Sequence, residues 1–279
     1  MTDLQAATGT SRFVEANGVR LHYLDYGTAG RRPMVCVHGG AAHAHWFDFV
    51  APGFTPDHHV FSLDQRGHGD SARANPHTYA WQTFADDINA FAEKLDLRDF
   101  VLVGHSMGGM VSLVYAATHP GRMGALVIVD TIMLMPRDRV TRMREFGARP
   151  SKGYATQEAL VARYRLEPAD SQMAAPEIIR RMAMHSGRQD DEGRWQHKAD
   201  RGVYANFKQI AGVPLWEKVK VPALVIRGER STRFTPEQLA EVRARAPQVQ
   251  MAEVPASDHH ITLDNPQGFV DVVQKFLRA

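Results

Sequence analysis

Phe100-Val101-Leu102-Val103-Gly104-His105-Ser106-Met107-Gly108-Gly109 runs from apolar, strand-forming residues into a glycine-flanked serine, and a helix-compatible stretch, Met110 to Thr118, follows. A strand that turns this sharply into a helix leaves no room for side chains beside the residue at its apex, and Gly104 and Gly108 provide that room. Ser106 is therefore expected to project from the carboxyl edge of a sheet as a candidate nucleophile. The same turn aims the Met107 N–H at the place where the oxygen of a tetrahedral intermediate would sit. A glycine-rich turn that merely contains a serine is the bland alternative. Neither this segment nor Gly67-His68-Gly69 completes a G-x-G-x-x-G pattern, which counts against a dinucleotide loop.

Outward from this turn, short apolar runs at Met34 to Val37, His59 to Leu63, Ala125 to Val129 and Ala223 to Ile226, with the less apolar Gln250 to Val254, alternate with helix-like stretches. That rhythm predicts an α/β chain with a mostly parallel sheet flanked by helices. Arg12 to Ala16 and Val19 to Tyr26 read as strands joined at Asn17-Gly18, a pair that takes the positive φ angles of a tight hairpin. Between Asp130 and Val221 the rhythm gives way to helical spacing rich in Arg and Met, without a convincing strand. The division expected is a core of residues 1–130 and 222–279 with a helical cap inserted at 131–221.

Composition narrows the function. The 279 residues are 44% hydrophobic and 23% charged, as in a globular protein able to bury a full core. Lys and Arg number 33 against 31 Asp and Glu, so charge balance gives no reason to expect nucleic acid or an anionic membrane as partner. No run approaches the roughly 18 apolar residues of a membrane span, and a cytoplasmic enzyme acting on a small molecule is expected. The single cysteine, Cys36, lies within Met34-Val35-Cys36-Val37 and reads as a buried hydrophobe.

From Phe13 to Leu277 the chain resembles the α/β-hydrolase fold family, whose members fold around a mostly parallel eight-stranded sheet. The resemblance rests on the serine turn and three further motifs. His38-Gly39-Gly40 follows the third strand, and by similarity the Gly40 N–H joins that of Met107 as an oxyanion donor. Asp64-Gln65-Arg66-Gly67-His68-Gly69-Asp70-Ser71 looks like the family's loop after the next strand, which is usually structural. Asp258-His259-His260-Ile261-Thr262-Leu263-Asp264-Asn265-Pro266 is similar to the family's histidine loop, and its spacing to the proline selects His259 over His260 as general base.

The chain departs from the family at the acid. Relatives usually carry it in Gly-x-x-Asp after the strand that returns from the cap, and here that segment is Gly228-Glu229-Arg230-Ser231. Serine cannot carry the charge that stabilises an imidazolium. Some members place the acid after the strand that follows the nucleophile helix, where this chain has Asp130, so Asp130 is the expected acid. The alternative for Asp130 is a helix cap. Glu229 is the substitute acid, and Asp258, adjacent to His259, ranks last.

The resemblance implies attack of Ser106 on a carboxylic ester or lactone, an acyl-enzyme, and no cofactor or metal. His43 and His45 in Ala42-His43-Ala44-His45-Trp46 could suggest a metal pair, but the sequence sets no carboxylate cluster with them. Trp46, Arg163 and Arg227 are the candidate substrate-binding residues. A narrower resemblance, in the Asp-Gln-Arg-Gly-His-Gly loop, the Gly-Glu-x-Ser departure and the placing of Asp130, is to hydrolases of acetamidomethylene succinate. It implies an amide-bearing dicarboxylate for which Arg163 and Arg227 could serve. Most cap arginines read as solvated or locally paired, and Met133, Met135, Met143, Met173, Met182 and Met184 as core filler. A carbon–carbon bond hydrolase, a cofactor-free perhydrolase and a slow-turnover ligand receptor use the same scaffold, and oligomeric state is not legible.

Overall fold

Eight strands form one sheet in the order β1-β2-β4-β3-β5-β6-β9-β10. The computed structural model describes residues 5–74, 78–151, 153–168 and 171–279. β1 (Thr10–Ala16) and β2 (Val19–Asp25) make the antiparallel hairpin, with Asn17 at φ 48° and Gly18 at φ 73°. β2 also pairs antiparallel with β4 (His58–Leu63). β3 (Arg32–Val37), β4, β5 (Phe100–His105), β6 (Met123–Val129), β9 (Ala223–Gly228) and β10 (Gln250–Val254) run parallel.

The continuous apolar runs follow from burial on both faces. Side chains alternate across a strand. Val35, Leu102, Leu126 and Val225 therefore pack with the helices Trp81–Lys94 and Met107–Thr118. Cys36, Val103, Val127 and Ile226 face the opposite way, against the helix Pro266–Arg278. β10 lies at the edge of the sheet, and the exposure of Gln250 and Glu253 accounts for its weaker apolar signal. Cys36 is fully buried, which pushes its thiol well above the ordinary range.

Between β6 and β9 the chain forms helices Arg137–Ala148, Gln157–Arg163, Pro176–His185 and Gly202–Ala205. The expectation of a wholly helical segment is corrected by an antiparallel hairpin, β7 (Gly187–Gln189) with β8 (Trp195–His197). Each strand is three residues long, too short to carry a period-two pattern. The turn is held instead by the Asp190 carboxylate, which accepts from the Glu192 and Arg194 N–H groups, and by Gly193 at φ 75°. Among the described residues no helix is long and apolar enough to cross a membrane.

Candidate active site

Ser106 stands between β5 and the helix Met107–Thr118 at φ 54°, ψ −115°, a left-handed conformation that side chains rarely adopt and that the surroundings must enforce. They do so from two sides. The Ser106 N–H donates to the Val129 carbonyl at 2.9 Å, and the Thr131 hydroxyl donates to the Ser106 carbonyl at 3.1 Å. A Cβ at Gly104 would lie 2.5 Å from the Gly108 carbonyl oxygen, and one at Gly108 would lie 2.3 Å from the Val37 carbonyl oxygen. The glycines thus let β3, the turn and the helix approach one another.

The Ser106 hydroxyl lies 3.0 Å from His259 Nε2, and His259 Nδ1 lies 2.7 Å from Asp130 Oδ2. With a carboxylate at Nδ1, that nitrogen carries the proton and Nε2 is free to accept from the serine. Asp130 is fully buried at the end of β6, with its own N–H on the Ile226 carbonyl at 2.8 Å. It caps no helix, since the next one begins at Arg137 behind an N-cap at Pro136. The sequence reading missed Ser231, whose hydroxyl donates to Asp130 Oδ2 at 2.6 Å. Its position in Gly228-Glu229-Arg230-Ser231, the usual place of the acid, was the available signal.

The alternative acids lie elsewhere. Glu229 accepts from the Ala256 N–H at 2.8 Å on the exposed side of the loop, and the carboxylate at His259 Nδ1 is that of Asp130, not of the adjacent Asp258. His260 is buried beside the site, and burial first, then the charge of His259, pushes its pKa well below the ordinary value.

Gly40 and Met107 both line the cavity that contains Ser106. Met107 opens its helix, so the helix itself leaves its N–H unused. The loop after β4 supports this region. Asp64, fully buried, accepts from His22 Nδ1 at 2.6 Å, the Ala44 N–H at 2.6 Å and the Asp70 N–H at 2.9 Å. Burial alone would raise its pKa, but the hydrogen bond from His22 and the charges of His38 and His22 outweigh it and hold the carboxyl well below the usual range. Arg66 engages Asp87 with both Nε and Nη2.

The cavity measures about 370 Å³, with Met107, Met110, Met135, Met143, Phe146 and Phe207 among its walls and Arg139, Arg142 and Glu167 also present. Met135 and Met143 are thereby corrected from core filler to pocket wall, whereas Met133 and Met182 are fully buried. The three candidate substrate-binding residues do not face this cavity. Trp46 is buried with its ring edge-on to His260 at 5.6 Å. Arg163, in the last turn of its helix, where a cation favours the dipole, lines a second cavity, as does Trp46. Arg227 lines neither, because strand register sets it opposite Glu253, with Nε 3.3 Å from the carboxylate.

The expectation that no carboxylate accompanies His43 and His45 is also corrected. His45 Nδ1 lies 3.0 Å from Asp48, and the His45 and His185 rings stack at 3.5 Å, so the three offer ligand atoms within 4.8 Å of one another. Asp48 is already engaged by the Tyr26 hydroxyl at 2.6 Å and by Arg181 Nε at 2.7 Å. A guanidinium held there opposes a second cation.

N-formylmaleamate deformylase of Pseudomonas putida is 29% identical over 269 residues, which cover 95% of this chain and 95% of that protein. 2-(Acetamidomethylene)succinate hydrolase of Mesorhizobium japonicum is 26% identical over 280 residues, 96% of this chain and 95% of that one. The crystal structure of an E-2-(acetamidomethylene)succinate hydrolase superposes with a TM-score of 0.85 at 23% identity, covering 97% of this chain and all of that one, a likeness of fold. The family described as alpha/beta hydrolase fold matches residues 32–266, and with its sheet order and serine turn the chain belongs to that family and is a hydrolase of the α/β-hydrolase fold.

Proposed function

We propose that this hydrolase cleaves a carboxylic ester or lactone of a small molecule, with Ser106 as nucleophile, His259 as general base and Asp130 as the acid that orients it. The observation that carries this reading is the continuous relay from Ser106 Oγ to His259 at 3.0 Å and from His259 to Asp130 at 2.7 Å, opening into a cavity whose walls are mostly apolar, methionine and phenylalanine among them.

In the proposed reaction His259 Nε2 takes the serine proton as Oγ attacks the carbonyl carbon, and the backbone N–H groups of Gly40 and Met107 receive the oxyanion. The imidazolium returns its proton to the departing alcohol, leaving an acyl-enzyme. Water, deprotonated by the same nitrogen, then releases the acid. Asp130 stays ionised and stabilises the imidazolium. Residues 131–221 would serve as a cap over a core of 1–130 and 222–279, since Met135, Met143, Phe146 and Phe207 from that segment wall the cavity beside Ser106.

An amide is the second reading. It is favoured by the two relatives named for N-formylmaleamate deformylation and for 2-(acetamidomethylene)succinate hydrolysis, and a leaving nitrogen would take the same proton from His259. The test is turnover of 4-nitrophenyl esters of graded acyl length, simple lactones and N-acyl amides by wild type and by Ser106→Ala. Burst release of nitrophenol, abolished in Ser106→Ala, is expected. Turnover that survives Ser106→Ala would overturn the assignment, and activity on amides alone would replace the ester reading with the second.

A further inference from the structure

Next to the catalytic cavity lies a second one of about 430 Å³, which includes Gly40, Ala41, Phe146, Glu167 and Tyr204 in common with the first but not Ser106. Its charge is lopsided. Arg73, Arg149, Arg163, Arg165, Lys198 and Arg201 line it, against the carboxylates of Glu167 and Asp200. Asp200 already accepts from the Tyr79 hydroxyl at 2.6 Å and the Gly202 N–H at 2.8 Å, and Lys198 is paired with Asp70 at 2.7 Å.

The arginines are held without being neutralised. Arg201 donates to the carbonyls of Arg149 and Pro150 at 2.8 and 3.1 Å and lies over the Phe146 ring at 4.7 Å. Arg165 donates to the Tyr164 carbonyl at 2.6 Å. Carbonyl oxygens fix a guanidinium in place but leave its charge for another partner. Arg149 and Arg163 enter no ion pair among the described residues.

A second, independent observation comes from the buried wall. Trp46 Nε1 and Tyr204 Oη are buried, on residues 2% and 8% exposed, and neither donates a hydrogen bond among the described residues. Leaving such donors unmet is costly. An indole N–H can only donate, and burial keeps the Tyr204 phenol protonated by raising its pKa. His43 contributes the one unpartnered acceptor, Nδ1, because its Nε2 is engaged by the Met182 carbonyl at 2.9 Å. Buried donors behind a cationic rim call for a ligand end that is all acceptor.

We infer that this second cavity is the subsite for an anionic group, a carboxylate or a phosphate, at the far end of the substrate, whose scissile carbonyl lies beside Ser106. The inference rests on the proposed hydrolysis at Ser106 and deepens it by naming the substrate class. The wall between the cavities is low at its outer edge, where Phe146 is 45% exposed and Glu167 is exposed. A substrate crossing there passes the Gly40–Ala41 loop, so fixing its anion also fixes the carbonyl against the proposed oxyanion donors.

The test uses sets of 4-nitrophenyl and alkyl esters, alike except that the end remote from the scissile bond carries a carboxylate, a phosphonate or a methyl-capped neutral ester, placed on the acyl or on the alcohol side. Wild type is expected to prefer one anionic member by about tenfold or more in kcat/KM. That ratio should fall towards one in Arg149→Gln/Arg163→Gln and persist in Arg227→Gln, which alters an arginine outside both cavities. The carboxylate and phosphonate members tell which anion is meant. Equal turnover of anionic and neutral members by wild type, or a preference that survives the double substitution, overturns the subsite. If no ester or amide is turned over, the hydrolytic assignment fails separately. The cavity is then read by calorimetric titration of Ser106→Ala with glutarate and with inorganic phosphate, where binding lost in the double substitution supports the subsite and absence of binding overturns it.

Discussion

The Ser231 hydroxyl donates to Asp130 Oδ2 at 2.6 Å, on the same oxygen that His259 Nδ1 approaches at 2.7 Å. A serine therefore ends Gly228-Glu229-Arg230-Ser231, the loop where the family resemblance leads one to expect the acid, and it holds the carboxylate that we propose as the acid instead. The other oxygen, Asp130 Oδ1, is buried without a partner among the described residues, so Ser231 and His259 together fix the carboxylate.

Ser231→Ala should lower kcat about tenfold with little change in KM, since a hydrogen bond to a charged group contributes ~1.5 kcal/mol or more. Steady-state kinetics on the best ester reads the effect. An unchanged kcat would mean that burial alone orients Asp130.

Moving the charge gives a sharper prediction. Asp130→Asn should reduce kcat by a factor on the order of 10⁴, and adding Ser231→Asp should recover at least about tenfold of that loss, because residue 231 already reaches the same oxygen. Glu229→Gln should leave kcat at the wild-type level, since Glu229 is engaged with the Ala256 N–H. A larger loss in Glu229→Gln than in Asp130→Asn would reverse the assignment of the acid.

That Ser106, His259 and Asp130 meet was legible because the constraints on each are local: glycines two positions either side of Ser106, a proline at a fixed distance after His259, and an aspartate ending an apolar strand. The sheet was legible for a related reason, since strands buried on both faces must be apolar throughout. What eluded the sequence depends on contacts between distant segments. The Ser231 bond joins positions 101 residues apart. Arg227 faces Glu253 through strand register, and Trp46 packs against His260 through a loop whose path is set by Asp64 on the Ala44 N–H. Helical spacing likewise did not distinguish the face of Arg137–Ala148 that carries Met143 into the cavity from a face packed in the core.

Stability should fall in mild acid. Burial first pushes the pKa values of His43, His68 and His105 down to about 3, whereas an unfolded chain protonates histidine near 6.5. Between those values the unfolded state binds more protons, so stability decreases as pH falls, by ~1.4 kcal/mol per pH unit for each such histidine. Asp64 adds to the loss in stronger acid, because its depressed pKa stabilises the fold above the ordinary carboxylate range and that contribution disappears as the pH falls through its folded value. Calorimetric Tm at constant ionic strength should drop steadily from pH 7 to pH 5. A flat Tm over that interval would show that these rings take up protons without unfolding.

Gly108→Ala should cost ~1–3 kcal/mol of stability through overpacking and lower kcat further than the stability loss explains. The new methyl would press on the Val37 and His38 carbonyl oxygens at 2.3 and 2.4 Å and displace the loop that carries Gly40. Thermal unfolding and kcat of the soluble fraction test this together, and a wild-type kcat would show that the loop tolerates the shift.

The backbone tie from Ser106 N–H to the Val129 carbonyl sets the serine turn directly against the strand that ends in Asp130. Both residues come before residues 131–221, and His259 comes after them. A change in the length or packing of that segment therefore leaves the serine and the carboxylate in fixed relation. If residues 131–221 serve as the proposed cap, selection can remodel it while disturbing only one of the three proposed catalytic partners. An acid on the β9 loop would have put two of them downstream of the variable part.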